Sequence, residues 1–194
     1  IMTNKIHSSA IIDEGALIGK ETSIWHWSHV CSKAIIGSNC NLGQNVYVAN
    51  NVLIGNNCKI QNNVSLYEGL ILEDYVFCGP SVVFTNVINP RSNINRKKNF
   101  KKTLVRQGST LGANATILCG IEIDKYSFVG AGAVLTKDTK QYSLVIGNPA
   151  KHVGWISKNG HRLKLPLTGS GKTYCEKSGE EYFLENGNCY VKGD

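Results

Sequence analysis

Large apolar residues recur at every sixth position over the first 84 residues of the chain. Neither the 3.6-residue period of an α-helix nor the two-residue alternation of a half-buried strand produces this spacing. A six-residue repeat predicts a parallel β-helix, in which each hexad supplies one short strand and one corner, and three hexads complete a triangular turn of about eighteen residues. Cysteine, a small hydrophobic residue, holds one repeat position. The full set is Ile6, Ile12, Ile18, Ile24, Val30, Ile36, Leu42, Val48, Ile54, Ile60, Leu66, Leu72, Cys78 and Phe84.

Glycine and asparagine recur between the repeat positions, as in Gly37-Ser38-Asn39 and Gly55-Asn56-Asn57. Both residue types tolerate the left-handed backbone conformation that tight corners need. We therefore expect these segments at the corners of a prism, with the large apolar side chains stacked in columns inside it.

The repeat stops after Phe84 and resumes in a displaced register at Val105, Leu111, Ile117, Ile123, Val129 and Leu135. The interruption, about residues 85–104, contains Asn89-Pro90-Arg91 and a basic run over residues 96–102. Long loops in compact domains are usually functional. We therefore predict a loop extruded from the β-helix at this point.

The predicted organisation is a β-helix over residues 1–140 followed by a C-terminal extension over residues 141–194. Residues 151–158 are expected to form a short helix or turn. Over residues 173–191, β-rich stretches separated by turn sequences at 177–180 and 185–188 predict a small antiparallel meander of hairpins. We expect this extension to cap the β-helix or to pack on a neighbouring subunit.

The formal net charge of the chain is +7, and part of it lies in the interruption. Few aromatic residues interleave with these charges, so phosphorylated small molecules suit the surface better than nucleic acid does. No run is apolar enough to span a membrane, and the first residues lack a signal-peptide core. We expect a cytoplasmic protein with no membrane span and no nucleic-acid partner.

The seven cysteines could at first suggest disulfides or zinc. Cys40, Cys58 and Cys78 occupy regular positions of the repeat, so they are predicted to fill the core. Cys175 and Cys189 lie in the C-terminal extension without the C-x-x-C pair that a zinc ribbon requires. We expect reduced thiols and no metal site.

Several motifs resemble the hexapeptide-repeat acyltransferases, and among them the bacterial sugar-nucleotide N-acetyltransferases. The similarity runs over about residues 7–155. The motifs that carry it are Gly43-Gln44-Asn45-Val46, Lys59-Ile60-Gln61-Asn62-Asn63-Val64-Ser65, Phe77-Cys78-Gly79-Pro80-Ser81-Val82-Val83-Phe84-Thr85-Asn86-Val87, Asn89-Pro90-Arg91, Thr103-Leu104-Val105-Arg106 and the terminal Gly147-Asn148-Pro149-Ala150-Lys151. The resemblance implies a left-handed β-helix, a homotrimer with active sites between subunits, and acetyl-CoA as co-substrate.

The resemblance also implies a reaction, acetylation of the 3-amino group of a UDP-linked 2-acetamido-3-amino-2,3-dideoxyglucuronic acid for O-antigen or another surface polysaccharide. An alternative acceptor is a dTDP-3-amino-3,6-dideoxyhexose. A zinc carbonic anhydrase would need three ligand histidines on adjacent coils, and the spacing of the five histidines does not supply them. A non-catalytic structural β-solenoid would need neither the extruded loop nor the Asn-Pro-Ala-Lys ending.

Acetyl transfer to an amine requires a neutral amine aimed at the thioester carbonyl and a group that accepts its proton. Many relatives place a histidine in the loop region, but this chain has none between His29 and His152. By resemblance to the Phe-Thr-Asn motif of the subgroup, Asn86 is expected to orient the sugar amine, with the departing CoA sulfur as proton acceptor. His26 and His29 are alternative bases, and a solvated or interface histidine pair is the other interpretation of these residues.

Ligand-binding residues are likewise implied by the resemblance. Arg91 and Arg96 suit a uronate carboxylate or a diphosphate, because a guanidinium binds such anions through paired donors. Sugar contacts are expected from outward-facing polar residues, some of which could equally be turn formers: Gln44, Asn45, Asn62, Asn63, Tyr67 and Glu68. Acetyl-CoA is expected along the later coils, beside Gly112, Ala113, Asn114, Gly130, Ala131, Thr136, Lys137, Asn148, Pro149 and Lys151.

Overall fold

Short parallel strands wind into a three-sided β-helix in the computed structural model, which describes residues 3–192. Face A contains β1 (Lys5–Ile6), β4 (Ser23–Ile24), β7 (Asn41–Leu42), β10 (Lys59–Ile60), β13 (Phe77–Cys78), β16 (Thr110–Leu111), β19 (Phe128–Val129) and β21 (Ser143–Ile146). Face B contains β2 (Ile11–Ile12), β5 (His29–Val30), β8 (Tyr47–Val48), β11 (Ser65–Leu66), β14 (Val83–Phe84), β17 (Thr116–Ile117) and β20 (Val134–Leu135). Face C contains β3 (Leu17–Ile18), β6 (Ile35–Ile36), β9 (Leu53–Ile54), β12 (Leu70–Leu72), β15 (Thr103–Val105) and β18 (Glu122–Ile123).

The strands pair in parallel at the interval that three hexads predict. Lys59 of β10 lies opposite Phe77 of β13, eighteen residues further along the chain. Across the interruption, Phe77 pairs with Thr110, thirty-three residues further on, so fifteen extra residues leave the coil there. The parallel β-helix is confirmed. The left-handed sense of the helix remains a prediction from the family resemblance.

The second residue of each two-residue strand points into the prism and the first points out. Leu42, Ile60, Cys78 and Leu111 form one inward column of face A and are fully buried. Burying one large aliphatic side chain contributes about 1.5–3 kcal/mol, so these columns supply the main stabilising term. Cys40 and Cys58 are buried between the columns as expected, and all seven cysteines are buried free thiols.

The corners use residues that accept a left-handed backbone. Asn45 has φ 58° and Asn63 has φ 62°. At Gly37, a Cβ would lie 2.5 Å from the carbonyl oxygen of Gly55 in the next coil, a separation that real Cβ atoms do not show. Coil-to-coil stacking therefore requires glycine at Gly37, whereas the asparagine corners are chosen for their backbone conformation.

The loop over residues 85–102 connects β14 to β15, and its one regular element is a short 3-10 helix (Lys97–Asn99). The predicted end of the loop at residue 104 was two residues too late, because Thr103 already pairs with Leu70 of face C. The loop therefore leaves the prism where face B meets face C, which we call the B/C edge. The corner between faces A and B is the A/B edge.

The expected short helix or turn over residues 151–158 is wrong. The chain instead forms β22 (Lys151–Ile156), which pairs antiparallel with β21, and then β23 (Arg162–Leu163). The physical reason is that β21 continues face A beyond residue 140 and leaves an open strand edge, and the β-favouring residues Val153, Trp155 and Ile156 can close it. Trp155 is fully buried as a result.

The predicted antiparallel meander is confirmed as β24 (Gly171–Tyr174), β25 (Glu181–Glu185) and β26 (Asn188–Val191). It packs on the end of the β-helix of the same chain through an aromatic cluster. The ring of Tyr142 stacks on that of Tyr126 at 5.3 Å and meets that of Tyr182 edge-on at 5.4 Å. Both corner tyrosines of the β-helix thus serve to dock the extension.

Candidate functional site

The loop is closed at its base by hydrogen bonds between its two ends and the coil above. The amide of Lys101 donates to the carbonyl of Asn86 at 2.9 Å. The hydroxyl oxygen of Thr85 accepts from the amide of Cys119 at 2.9 Å, and that of Thr103 accepts from the amide of Gly120 at 3.2 Å. We call these contacts the loop neck, and they hold the backbone of Asn86 in a defined place.

Asn86 is half-buried at the neck, and its side-chain amide makes no hydrogen bond to any residue in the range 3–192. Eighteen residues earlier, Tyr67 and Glu68 occupy the coil directly below Thr85 and Asn86, as the pairing of Ser65 with Val83 requires. The structure therefore brings three predicted site residues, Tyr67, Glu68 and Asn86, to the B/C edge beside the loop.

The two predicted arginines differ in their surroundings. Arg91 is exposed, and its Nη1 donates to the carbonyl of the adjacent Pro90 at 3.3 Å. Arg96 is half-buried, and its Nε is inaccessible to solvent without a hydrogen-bond partner in the described part of the chain. Because a buried donor without an acceptor is costly, Arg96 is the better candidate to bind an anionic group.

Three rings extend from the loop neck toward the N-terminal coils, and we call them the aromatic file (His29, Tyr47 and Tyr67). The ring centroids of Tyr67 and Tyr47 are 6.2 Å apart, and those of Tyr47 and His29 are 5.7 Å apart. At the far end, Nε2 of His29 lies 3.1 Å from Oδ1 of Asp13. The side chains of His29 and Asp13 are 40% and 39% exposed, so this pair is open to a ligand.

The hydroxyl of Tyr47 accepts a hydrogen bond from the thiol of Cys31 at 3.5 Å. The neighbouring Cys31 thiol, together with burial, raises the pKa of Tyr47 to about 12. The hydroxyl therefore stays protonated at neutral pH. Ligand-type atoms of Asp13, His29 and Cys31 lie within 4.8 Å of one another, so this group also has the donor atoms for a metal ion.

His29 and Asn86 do not share a site within one chain. His29, Tyr47, Ser65 and Val83 are successive outward residues of face B. With coils about 4.8 Å apart, three coils separate His29 from the level of the loop by about 14 Å. General base catalysis requires hydrogen-bond reach of the proton, so His29 of the same chain is out of reach of an amine bound at Asn86.

The remaining predicted sugar residues lie across face B, at the A/B edge, and their amides have structural partners. The Asn62 side chain accepts from the backbone amide of Gln44 at 2.9 Å, and the amides of Asn45 and Asn63 bond each other at 3.1 Å. Four residues of extended chain, about 13 Å, separate Asn45 from the B/C edge. The structure thus favours turn formation for these asparagines and does not place them beside Asn86.

The residues predicted to contact acetyl-CoA lie in the coils beyond the loop. Five of the ten belong to the A/B edge, where a Cβ on Gly112 would lie 2.4 Å from the amide nitrogen of Ala131. The glycine there is thus required by coil stacking, whatever else it does. Thr136 and Lys137 follow β20 toward the B/C edge, and the turn holding Asn148 and Pro149 joins β21 to β22.

Comparison with known proteins identifies the family. The model for the hexapeptide repeat of succinyl-transferases matches residues 33–68 and 107–137, and that for the bacterial transferase hexapeptide matches residues 15–50. The dTDP-3-amino-3,6-dideoxy-alpha-D-galactopyranose 3-N-acetyltransferase of Aneurinibacillus thermoaerophilus is 40% identical over 160 residues, which cover 82% of each chain. The chain belongs to the hexapeptide-repeat transferases. It is an enzyme of that family.

More distant relatives agree with the fold of this hexapeptide-repeat transferase. The galactoside O-acetyltransferase of Lactococcus lactis is 31% identical over 41% of this chain and 40% of its own. The solved structure of a candidate acetyltransferase from Bacillus cereus aligns with a TM-score of 0.55 at 21% identity, covering 79% of this chain and 78% of that one. At that identity the structural likeness shows the fold alone.

Sequence reasoning missed Asp13, Cys31 and Tyr47 of this hexapeptide-repeat transferase. The signal was present in the eighteen-residue interval, since Asp13 and Cys31 are one turn apart, as are His29 and Tyr47. Applying that interval to the outward positions would have grouped these residues with Tyr67.

Within the part of the chain that the structure describes, no helix has the length and hydrophobicity needed to cross a membrane.

Proposed function

We propose that this enzyme transfers the acetyl group of acetyl-CoA to the 3-amino group of a nucleotide-linked amino sugar. The observation that carries the proposal is the side-chain amide of Asn86, held at the loop neck without a hydrogen-bond partner in residues 3–192. The relative from Aneurinibacillus thermoaerophilus, by its name a 3-N-acetyltransferase of a dTDP-amino sugar, supports the same reaction.

In the proposed mechanism, the amide of Asn86 holds the sugar amine by a hydrogen bond to its oxygen, which aims the nitrogen lone pair at the thioester carbonyl. The nitrogen–carbon bond forms as the carbon–sulfur bond breaks. The amine proton passes to the departing sulfur, which leaves as the free thiol of CoA. An amide cannot take this proton at neutral pH, and His29 of the same chain is three coils away. We assign the proton to the sulfur, as the resemblance to the subgroup implies.

The acceptor we propose first is a dTDP-3-amino-3,6-dideoxyhexose, on the strength of the 40% identical relative. A UDP-linked 2-acetamido-3-amino-2,3-dideoxyglucuronic acid, for a surface polysaccharide such as O-antigen, is the second candidate. A uronate carboxylate would supply the acceptor that the buried Nε of Arg96 lacks. A diphosphate would supply it equally, so only turnover separates the two.

We also propose a homotrimer whose subunits meet through face C. The outward positions of five successive strands there are all apolar, and Leu17, Ile35 and Leu53 are 60%, 44% and 39% exposed. Ile71 and Leu104 continue the column. A continuous exposed apolar column of this kind marks an interaction site in a soluble protein. A trimer built on it would bring the loop of one subunit near a neighbour.

The test of the reaction is acetyl-CoA-dependent release of thiol with a panel of dTDP- and UDP-linked amino sugars. Turnover of a 3-amino sugar nucleotide is expected, and no turnover with any of them would remove the proposal. Asn86→Ala should lower kcat/KM by at least about tenfold, since one hydrogen bond that positions the nucleophile is lost. Asn93→Ala, an exposed asparagine of the same loop, is the matched control and should keep full activity.

A further inference from the structure

The proposed mechanism of acetyl transfer does not use the aromatic file, although the file starts at the loop neck. Its rings lie on the outward side of face B and the B/C edge, and Tyr67 is 41% exposed. The file ends at the Asp13–His29 pair, two hydrogen-bonding groups that no core packing requires. A surface row of rings with polar groups at its end fits a planar heterocycle with a polar edge.

We infer that the aromatic file binds the pyrimidine base of the sugar nucleotide, and that His29, oriented by Asp13, recognises the imide edge of that base. The inference rests on the proposed function, because that function places the sugar amine at Asn86. It adds the location of the nucleotide and the class of base that the enzyme accepts.

The direction of the bound nucleotide follows from the two ends of the site. The residues assigned to acetyl-CoA lie in the coils after the loop, so we place the nucleotide along the coils before it. A diphosphate and a ribose separate the sugar from the base, which therefore lies several coils away. Tyr47 and His29 are two and three coils below the strand that enters the loop.

Hydrogen-bond chemistry at His29 selects the base. Asp13 is an acceptor when ionised, so the neutral imidazole must carry its proton on Nε2 in order to donate across the 3.1 Å contact. Nδ1 is then an acceptor, and it has no partner among residues 3–192. Uracil and thymine present an N3–H donor that matches Nδ1, whereas N3 of cytosine is an acceptor and does not.

Tyr47 supplies the stacking surface between His29 and Tyr67. The hydrogen bond from Cys31 to its hydroxyl fixes the ring, and the rings of His29 and Tyr47 meet edge-on at 66°. A base lying on the face of Tyr47 would therefore present its edge toward His29. Stacking on an aromatic side chain tolerates either pyrimidine, so uracil and thymine share this surface.

The test is calorimetric titration of the purified full chain with UDP, dTDP and CDP above neutral pH. The wild-type protein should bind UDP and dTDP about tenfold more tightly than CDP, the effect of one matched hydrogen bond. Tyr47→Ala should weaken UDP and dTDP binding roughly tenfold to a hundredfold through lost stacking. Tyr75→Ala, which removes an exposed ring distant from face B, is the matched control and should change nothing.

Two variants separate the roles of the pair. His29→Phe keeps a ring but removes the acceptor, so it should abolish the preference for UDP over CDP. Asp13→Asn no longer fixes the tautomer of His29, so it should reduce the preference for UDP over CDP. A merely structural role of Asp13 would not change this preference. Equal wild-type binding of UDP and CDP, or unaltered affinity in Tyr47→Ala, would overturn the inference. If the wild type still acetylates a 3-amino sugar nucleotide, the proposed function survives that result; if it acetylates none, both fail.

Discussion

The loop neck makes a prediction that links stability to activity. Thr85 accepts the amide hydrogen of Cys119, which is only 5% exposed and has no other backbone partner in the described chain. Thr85→Val keeps the shape of the side chain but leaves that N–H buried and unpaired, at a cost of about 1–3 kcal/mol. For a chain of this size the melting temperature should fall by roughly 2–12 °C, at about 2–4 °C per kcal/mol.

The same variant should lower kcat/KM, because Asn86 follows Thr85 directly and loses its fixed position. Thermal unfolding followed by circular dichroism gives the first effect, and thiol release at a temperature well below the transition gives the second. Thr110→Val is the matched control, since that outward threonine of face A makes no side-chain hydrogen bond within residues 3–192. A Thr85→Val protein with the melting temperature and turnover of the control would show that the neck does not position Asn86.

Two further predictions concern assembly and thiol chemistry. Leu53→Asp should shift the protein from trimer to monomer in light scattering after size-exclusion chromatography, because a charge would lie within the apolar column of face C; a trimer that persists would mean another face is used. The hydrogen bond between the Cys175 thiol and the Ser157 hydroxyl lowers the pKa of Cys175 to about 7, whereas burial raises the pKa of Cys189 to about 12. As the pH rises above 7 the thiolate of Cys175 becomes dominant, so the ultraviolet absorbance of thiolate should rise near pH 7 in the wild type, and Cys175→Ser should lose that step. The same pH profile in both proteins would contradict this.

The repeat made the β-helix predictable because only one structure satisfies a six-residue apolar period. Every repeat position lies in the same kind of buried environment. A single unusual residue in the repeat, such as Cys78, therefore does not alter the conclusion. The extension was harder to predict. Residues 151–156 carry no alternation, and their strand conformation depends on the open edge of β21, which exists only after the coils have stacked.

The candidate site was predictable only for residues that lie next to the loop or eighteen residues before it, in the adjacent coil. Tyr67, Glu68 and Asn86 meet at one edge, but Gln44 and Asn45 turn at another, and six residues of sequence separate the two kinds of corner. The six-residue period shows which residue of a strand points inward, but it does not show to which of the three faces the strand belongs. That assignment requires counting hexads in threes, and counting in this way also places Asp13 beside His29.

The position of the insertion explains how one coil can carry a long loop without weakening the solenoid. Stability in a repeat fold is a sum over neighbouring coils, so an insertion is tolerated if the ladders on either side remain paired. Val83 still pairs with Thr116 on face B, and Leu70 with Thr103 on face C. The fifteen extra residues therefore lie outside the ladders, and the neck returns their ends to adjacent faces. Under the proposed function, the loop can therefore change with the acceptor while the neck keeps Asn86 fixed to the coil.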